Sequence, residues 1–308
     1  MLFRFIKQTP KISFIENRKK FYILSLFFAI ISIFSLWFKE LNFGIDFKGG
    51  LLVEIKLEND IELESLRNNI ATLNYGDFTL QKLDNSNDNF LIKIELSSDM
   101  KGNQETLIAR LKEKIQNNFE GKVDYRRIEY VGPTVSKELI MTGIIAILIA
   151  IFSMLIYIWF RFELPFAVGA VLALIHDTIL TIGMFSITSL EFNLSTVAAI
   201  LLIIGYSMND TVVVYDRVRE NLKKFKKLDT FALLNKSINE TLSRTIITSL
   251  TTLLALFSIF FFGGEILKGF AFAMILGVVL GTYSSIFIAN PVLVYLRVSY
   301  KTIVKDED

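Results

Sequence analysis

The chain has 308 residues, of which 52% are hydrophobic, including 28 phenylalanines, and soluble domains seldom reach so apolar a composition. Its net charge of +2 gives no bulk electrostatic reason to expect a nucleic-acid partner. It has no cysteine and one histidine, which excludes disulfides, thiolate chemistry and a multi-histidine metal site formed by this chain alone. We therefore expect a membrane protein without a metal or other cofactor.

Six apolar segments are long enough to cross a bilayer core of roughly 30 Å, which takes about 20 residues. They are Phe21–Phe38, Leu139–Phe160, Leu164–Leu190, Phe192–Tyr215, Thr245–Phe262 and Gly269–Leu296. The first segment follows basic residues but lacks a small-x-small cleavage site, which favours a retained anchor over a signal peptide.

Lysine and arginine are concentrated on one side of these predicted spans. The N-terminal arm, the loop after the fourth span and the C-terminal tail are basic, whereas the short loops around Glu191 and Glu265 contain only Lys268. The positive-inside rule then places residues 1–20, 216–243 and 297–308 in the cytoplasm and the long loop 39–136 outside. We expect a multi-pass protein of the bacterial inner membrane, in contact with lipid.

The long loop has the size and pattern of a small α+β domain. Alternating apolar and polar residues predict strands, and helical spacing predicts helices, in the order Leu51–Glu58, Ile61–Leu73, Phe78–Asp84, Phe90–Ser97, Glu105–Phe119 and Lys122–Val131. This βαββαβ order is the split unit of ferredoxin-like folds. The loop contains no histidine, cysteine or nucleophile motif, so a binding or lever domain and a structural cap both remain open.

Two short segments join this domain to the spans. The first, FGIDFKGG (Phe43–Gly50), contains three glycines and a carboxylate, namely Gly44, Gly49, Gly50 and Asp46. The second, VGPTVSKEL, contains Gly132 and Pro133. Glycine permits positive φ or close backbone approach, and proline can open a helix. Two permissive joints would suit rigid-body movement, but chain physics alone favours tight connections between packed elements.

Four ionisable residues fall within or beside the spans: His176, Asp177, Asp210 and Arg244. A carboxylate in a spanning helix costs about 2.5–3.5 kcal/mol even on the lenient insertion scale, and such residues mostly mark ion or proton paths. We expect Asp177 near the midplane and Asp210 in the cytoplasmic third, at about the depth of Arg244 if that helix starts early. A pair between Asp210 and Arg244 is open, and so is a guanidinium that reaches the headgroups.

Polar and small residues surround these positions along the sequence. Asn209 and the hydroxyls of Ser207, Tyr206, Thr178 and Thr181 could hold a proton wire or water near the carboxylates. Gly205, and Gly277 with Gly281, would allow helices to approach closely. This spacing is a weak signal in so apolar a chain.

An ordered set of motifs resembles the SecF family. The motifs are FGIDFKGG, VGPTVSKEL, ALIHDTILTIGMFSI, GYSMNDTVVVYDRVREN, LSRTIITSLTTL and FFGGEILKGFAFAMILGVVLGTYSSI. SecF chains are the smaller subunits of bacterial SecD–SecF protein-export complexes, in the resistance-nodulation-division superfamily. The resemblance runs from Phe43 to about Pro291.

The resemblance implies a membrane component of protein export rather than an enzyme. Such a chain pairs with SecD, associates with the SecYEG channel, and uses the proton gradient to pull unfolded polypeptide outward after the ATP-driven work of SecA. YajC and YidC are further candidate partners, and sodium is the alternative coupling ion. The functional aspartate of the family's fourth span falls on Asp210 and the arginine of its fifth span on Arg244.

Two other functions are weighed against this one. A non-transporting assembly factor could brace the channel. A small-molecule or lipid exporter of the same superfamily is disfavoured, because such exporters usually double the six-helix unit within one chain.

Overall fold

The computed structural model describes residues 10–58, 63–71, 78–83, 88–95, 104–118 and 122–303. The first nine residues of the predicted N-terminal arm, the last five of the tail and both ends of the predicted helix Ile61–Leu73 lie outside these ranges. In chain order the elements are α1 (Arg18–Phe38), α2 (Ile45–Lys48), β1 (Gly50–Leu57), α3 (Leu63–Ala71), β2 (Phe78–Lys82), β3 (Asn89–Ile94), α4 (Gln104–Asn118), β4 (Val123–Val131), α5 (Pro133–Arg161), α6 (Leu164–Thr188), α7 (Leu194–Lys224), α8 (Thr230–Phe262), α9 (Gly264–Ser284), a π-helical turn (Ser285–Ala289), α10 (Asn290–Tyr295) and α11 (Tyr300–Ile303).

Six helices in the described ranges are long and apolar enough to cross a membrane, which confirms the six predicted spans. Three of them are interior: 56% of the apolar window is buried in α6, in α7 and in the last span, against 11% in α1, 6% in α5 and 17% in α8. The outer three helices present side chains such as Trp37, Phe160 and Phe262 outward. This arrangement suits a bundle whose outer surface meets lipid.

The predicted basic loop 216–243 is mostly helical. Helices α7 and α8 continue beyond their apolar segments, and only residues 225–229 lie between them. Lys223 and Lys224 lie in the last turn of α7, where the helix dipole favours cations, and Asp229 accepts a hydrogen bond of 3.0 Å from the Phe231 N–H at the start of α8. Apolar residues of these extensions are buried against each other, including Leu222, Leu233 and Ile238.

The outer domain is a four-stranded antiparallel sheet in the order β2-β3-β1-β4, covered by two helices. The element order βαββαβ is the predicted one. The strand bounds differ from the predictions by at most three residues at either end, and the start of β2 and the end of β4 are as predicted, because alternation of side chains marks a strand better than its last hydrogen bond.

The two faces of this sheet have different surroundings. Val53 and Ile55 of β1 and Ile92 of β3 point to α3 and α4, where they pack against Leu66, Leu111 and neighbours in the domain core. The opposite face carries a small cluster of Ile45, Leu52 and Leu91. A polar cavity of about 510 Å³ separates this second face from the outer ends of the spans.

The joints are more structured than the sequence indicated. The first contains the helix α2, which the sequence did not predict and which packs against α5. Gly49 and Gly50 have φ angles of 81° and 157°, so positive φ is required there as expected. Gly132 has a φ of −75°, and an added Cβ would lie 3.7 Å from its nearest neighbour, so neither positive φ nor close approach requires glycine there; its role as a joint residue stays a prediction. Pro133 opens α5, as predicted.

Candidate functional site

Asp177 lies in the middle of α6 with all of its polar atoms engaged on other helices or on its neighbour. Its side chain is 1% exposed. Its Oδ2 accepts hydrogen bonds of 2.7 Å from Ser207 on α7 and of 2.7 Å from Ser284 on α9, and its Oδ1 lies 2.9 Å from Nδ1 of His176. This carboxyl group therefore ties three interior helices together.

His176 extends this polar cluster toward α1. The Nδ1 atom of the imidazole makes the contact with Asp177, which leaves Nε2 as the other ring nitrogen. Nε2 is buried and has no hydrogen-bond partner among the described residues. The ring stacks on Tyr283 at 6.0 Å, and the Tyr283 hydroxyl lies 2.7 Å from Ser25 of α1 and donates to the carbonyl of Phe21.

Asp210 is buried on α7 but is only partly satisfied. Its residue is 3% exposed, and its Oδ2 has no hydrogen-bond partner in the described part of the chain. Ser249 of α8 and Thr282 of α9 lie beside the carboxyl group and share a hydrogen bond of 2.7 Å. Asp210 is thus the one of the two intramembrane carboxylates that retains an unused acceptor.

Arg244 acts on Asp210 through its charge, but the two side chains are not paired. No ion pair within 4.0 Å joins them in the described ranges. Arg244 is exposed, and only its backbone carbonyl is engaged, by Thr248. The direct pair that the sequence left open is therefore not formed in the described ranges, and the similar depth of the two residues stays a prediction.

The two carboxylate centres share the contact between α7 and α9. Ser207, which binds Asp177, and Asp210 are three residues apart and so lie one turn apart on one face of α7. Gly277 and Gly281 allow this close approach, because an added Cβ at Gly281 would lie 2.9 Å from Cβ of Ser207 and one at Gly277 would overlap Ile203. Both glycines therefore have the packing role that the sequence indicated.

Asn209 and Gly205 lie elsewhere. Both are exposed on α7, and nothing lies within 4 Å of a Cβ built at Gly205. Within this chain the packing role predicted for Gly205 is wrong, and Asn209 does not join Asp177 or Asp210. Tyr206 also turns away and binds Thr252 on α8 at 3.2 Å. Asn209 and Gly205 are exposed one turn apart on α7, and Arg244 is exposed on α8; we call these three exposed residues near Asp210 the uncovered polar face.

Some residues of the site were missed by sequence reasoning. Ser284 donates a hydrogen bond to Asp177. Asp210 is flanked by Thr282 and Ser249. Tyr283 connects the polar cluster to α1 through its contact with Ser25. The signal was present as the run Thr282–Ser285, four hydroxyl residues in succession within an apolar span. Hydroxyl groups in such a span hydrogen bond across helices, so this run indicates a polar contact with a neighbouring helix.

Six spans, a four-stranded outer domain and two buried carboxylates on adjoining interior helices define a multi-pass membrane protein with a polar centre inside its bundle. Residues 111–299 match the family model for the C-terminal part of SecD/SecF protein-export membrane proteins, and residues 34–61 match the SecD/SecF GG motif.

Individual relatives agree with these family models. The chain is 46% identical over 295 residues to the protein translocase subunit SecF of Calditerrivibrio nitroreducens, covering 94% of this chain and 95% of that one. It is 44% identical over 280 residues to the subunit SecF of Rickettsia bellii, covering 91% of each chain. The chain belongs to the SecF family of protein translocase subunits.

Solved structures show the same architecture within a longer chain. The crystal structure of SecDF from Thermus, a translocon-associated membrane protein, matches with a TM-score of 0.80 at 33% identity. SecDF in its super-membrane-facing form matches with a TM-score of 0.70 at 34% identity. Each alignment covers 96% of this chain but 40% of the SecDF chain, so this chain spans less than half of that protein.

Proposed function

We propose that this chain pairs with a SecD-type chain and uses the proton gradient to drive unfolded polypeptide outward through the SecYEG channel, after the ATP-dependent step of SecA. The observation that carries this proposal is Asp210, a buried carboxylate with an unused acceptor oxygen. A group that is expensive to bury and is left partly unsatisfied is best explained by a change in its own protonation or in its partner.

The uncovered polar face supports a partner chain. Asn209 is exposed on α7 next to the buried Asp210, and Arg244 is exposed on α8 directly before the apolar segment Thr245–Phe262. Lipid tails cannot hydrogen bond to the Asn209 amide, whereas a facing helix can, and the same helix could pair with the exposed Arg244 guanidinium. The SecDF chain is more than twice as long as the part this chain covers, which leaves room for a SecD-type half against this face.

The energy scale permits useful work. One elementary charge that crosses a potential of 100 mV releases about 2.3 kcal/mol. If the Arg244 guanidinium or a SecD group approaches and withdraws, Asp210 can take up a proton on one side and release it on the other. A few such cycles per exported chain would suffice to move a small outer domain repeatedly.

The arrangement of the termini supports the proposed orientation. The N-terminal arm packs on α8, where the Asn235 side chain accepts from the backbone N–H groups of Phe14 and Ile15 and Asn239 accepts from that of Ile12. The arm and the basic connection 225–229 therefore lie at the same end of the bundle. Both termini are cytoplasmic in this proposal, and residues 39–136 are periplasmic.

The decisive experiment measures export by inside-out vesicles with SecA and ATP, with and without a proton gradient. Asp210→Asn keeps the shape of the side chain but removes its titration, so we expect normal assembly and loss of the gradient-dependent increment. Arg244→Ala should lose the increment and Arg244→Lys should keep part of it, because lysine retains charge without the planar fork. Asp216→Asn, on the same helix but in an exposed ion pair with Arg161, is the matched control.

The outcomes separate the alternatives. If Asp210→Asn shows the same gradient-dependent increment of export as the native protein, the proton path through Asp210 is wrong and the assembly-factor function is favoured. An increment that follows an imposed sodium gradient instead of the proton gradient would change the coupling ion. Gradient-dependent efflux of a lipid or small solute, with export unchanged, would favour the exporter.

A further inference from the structure

The outer domain and its first joint meet the membrane domain at the start of α7, the helix that carries Asp210. On β3, Lys93 forms an ion pair with Glu191, and both side chains are largely shielded. In the joint, Phe43 forms an isolated β-bridge with Phe192, with hydrogen bonds of 2.9 Å from Gly44 N–H to the Phe192 carbonyl and of 2.8 Å from Phe192 N–H to the Asn42 carbonyl. These contacts converge on residues 191–194, which we call the α7 junction.

Asp46 makes the most direct of these contacts. Its Oδ2 accepts a hydrogen bond of 2.8 Å from the N–H of Leu194, the first residue of α7. The first N–H groups of a helix have no partner within the helix, and a carboxylate there also complements the positive end of the helix dipole. Asn193, the N-cap residue of α7, accepts from the Thr196 N–H at 3.0 Å, so the two side chains together satisfy two N–H groups of the first turn.

The packing around the α7 junction leaves little room for independent movement. Phe47 is 7% exposed and Phe192 is 6% exposed, and their ring centroids lie 5.9 Å apart. Gly44 admits no side chain without displacement, because an added Cβ would lie 3.2 Å from Cβ of Asn193 and close to the Glu191 carboxyl group. A joint fastened in this way is a rigid link and not a free hinge.

A continuous helix connects this link to the candidate site. Asp210 lies 16 residues after Leu194 in an uninterrupted α7, which corresponds to about 24 Å at 1.5 Å per residue. A helix fastened at its end moves with the body to which it is fastened. Resting on the proposed function, we infer that Asp46 and the Lys93–Glu191 pair are positioning residues that transmit the position of the outer domain to the helix of Asp210.

The first test substitutes Asp46 and measures two quantities in the same vesicles, the gradient-dependent increment of export and the Asp210-dependent proton uptake. Asp46→Ala removes the acceptor, so the increment should fall about fivefold or more, the lower end of common coupling energies. Proton uptake and copurification with the SecD-type chain should persist, because the carboxyl site is intact. Asp46→Asn keeps an acceptor oxygen and should retain most of the increment. Asp124→Ala, an exposed carboxylate of β4 with no hydrogen bond or ion pair in the described ranges, is the matched control.

The second test restores the link by other means. Cysteines at Gly44 and Asn193, whose Cβ positions are 3.2 Å apart, are near the spacing of a disulfide and would fasten the same point covalently. Because a side chain at position 44 displaces the Glu191 carboxyl group, each oxidised pair is compared with its own reduced form. Oxidation should not lower the increment in the native background and should raise it in Asp46→Ala, with loss again on reduction. Since Asn193 also caps α7, a charge reversal serves as an independent variant: Lys93→Glu and Glu191→Lys should each lower the increment, and their combination should restore it.

Each outcome decides the inference. The inference fails if Asp46→Ala shows the native increment, or if it loses export and proton uptake equally. It also fails if the oxidised pair inhibits export in the native background, because that would show that the α7 junction opens during the cycle. Failure of both rescues would overturn it as well. If Asp210→Asn loses the increment and Asp46→Ala does not, the proposed function stands and only this inference fails.

Discussion

At the scale of single residues, the two intramembrane carboxylates have different environments and so different expected roles. Asp177 has hydroxyl donors from two helices and the adjacent imidazole, whereas Asp210 has an oxygen without a partner in the described chain. A fully bonded buried group contributes to a defined arrangement of helices, and removal of a donor is expensive. We therefore assign Asp177 to holding the bundle together and Asp210 to the change of charge.

This assignment predicts how serine substitutions near Asp177 behave. Ser207→Ala and Ser284→Ala each remove one donor to the same buried oxygen, so each should lower the free energy of unfolding by about 1–3 kcal/mol. Because both act on Oδ2, their effects should not add in the double variant. Thermal unfolding of the purified complex in detergent measures this change.

Ser258→Ala is the control for these variants, because Ser258 is exposed on α8 and donates only to the Leu254 carbonyl one turn earlier. Its stability should stay within about 0.5 kcal/mol of the native protein. Additive losses at Ser207 and Ser284 would show that the hydroxyls act separately and that Asp177 does not unite them.

At the scale of the helices, the contact between α7 and α9 sets the geometry of both carboxylate centres. Gly277 and Gly281 bring α9 against Ile203 and Ser207. Beyond this contact the span widens into the π-helical turn, where Asn290 donates to the Ser285 carbonyl at 2.6 Å and Tyr215 of α7 donates to the Ala289 carbonyl at 3.0 Å. Two side chains therefore donate to carbonyls of this turn, and π-helical turns often occur at functional sites.

Glycine substitutions test this contact. Gly277→Ala and Gly281→Ala force α7 and α9 apart, and such overpacking typically costs 1–3 kcal/mol, so we expect a loss of about that size in the thermal stability of the complex. A smaller gradient-dependent increment should accompany it, since Ser207 and Asp210 move with α7.

Gly205→Ala is the control within this chain, because its Cβ would meet nothing within 4 Å. It should leave the stability of the separated chain unchanged. Equal losses of that stability for Gly205→Ala and Gly281→Ala would show that helix propensity or insertion, and not the contact between α7 and α9, determines the result.

The sequence predicted the spans and strands well, but it did not predict which way the side chains of a span point. Apolar length identified six spans, and alternation identified four strands, because both depend on the local environment of each residue. The direction in which a spanning residue points was not available, since all faces of these helices are apolar. Asn209 was therefore grouped with Asp210 although it lies on the uncovered polar face, and the π-helical turn, to whose carbonyls Tyr215 and Asn290 donate, was not foreseen.

At the scale of the whole molecule, the bundle has two kinds of outer surface. Helices α1, α5 and α8 present bulky apolar side chains, as at Ile23, Phe152 and Phe261, which suits lipid. The uncovered polar face interrupts this apolar surface beside Asp210. The outer domain is fastened above the start of α7, so a partner at the uncovered polar face and the outer domain would both act on the same helix.

The orientation of the molecule can be tested directly because the native chain has no cysteine. Cysteine replaces Asp124 on the outer domain in one variant and Lys227 between α7 and α8 in another; both positions are exposed. The basic N-terminal arm and the Lys-rich connection predict a cytoplasmic location for Lys227. Three spans, α5, α6 and α7, separate Asp124 from Lys227, and this odd number places Asp124 outside. A membrane-impermeant maleimide should therefore label Asp124→Cys only in right-side-out vesicles and Lys227→Cys only in inside-out vesicles. The cysteine-free chain should label in neither, and detergent should expose both variants. Labelling of Asp124→Cys from the cytoplasmic side would reverse the orientation, and with it the direction of proton movement proposed for Asp210.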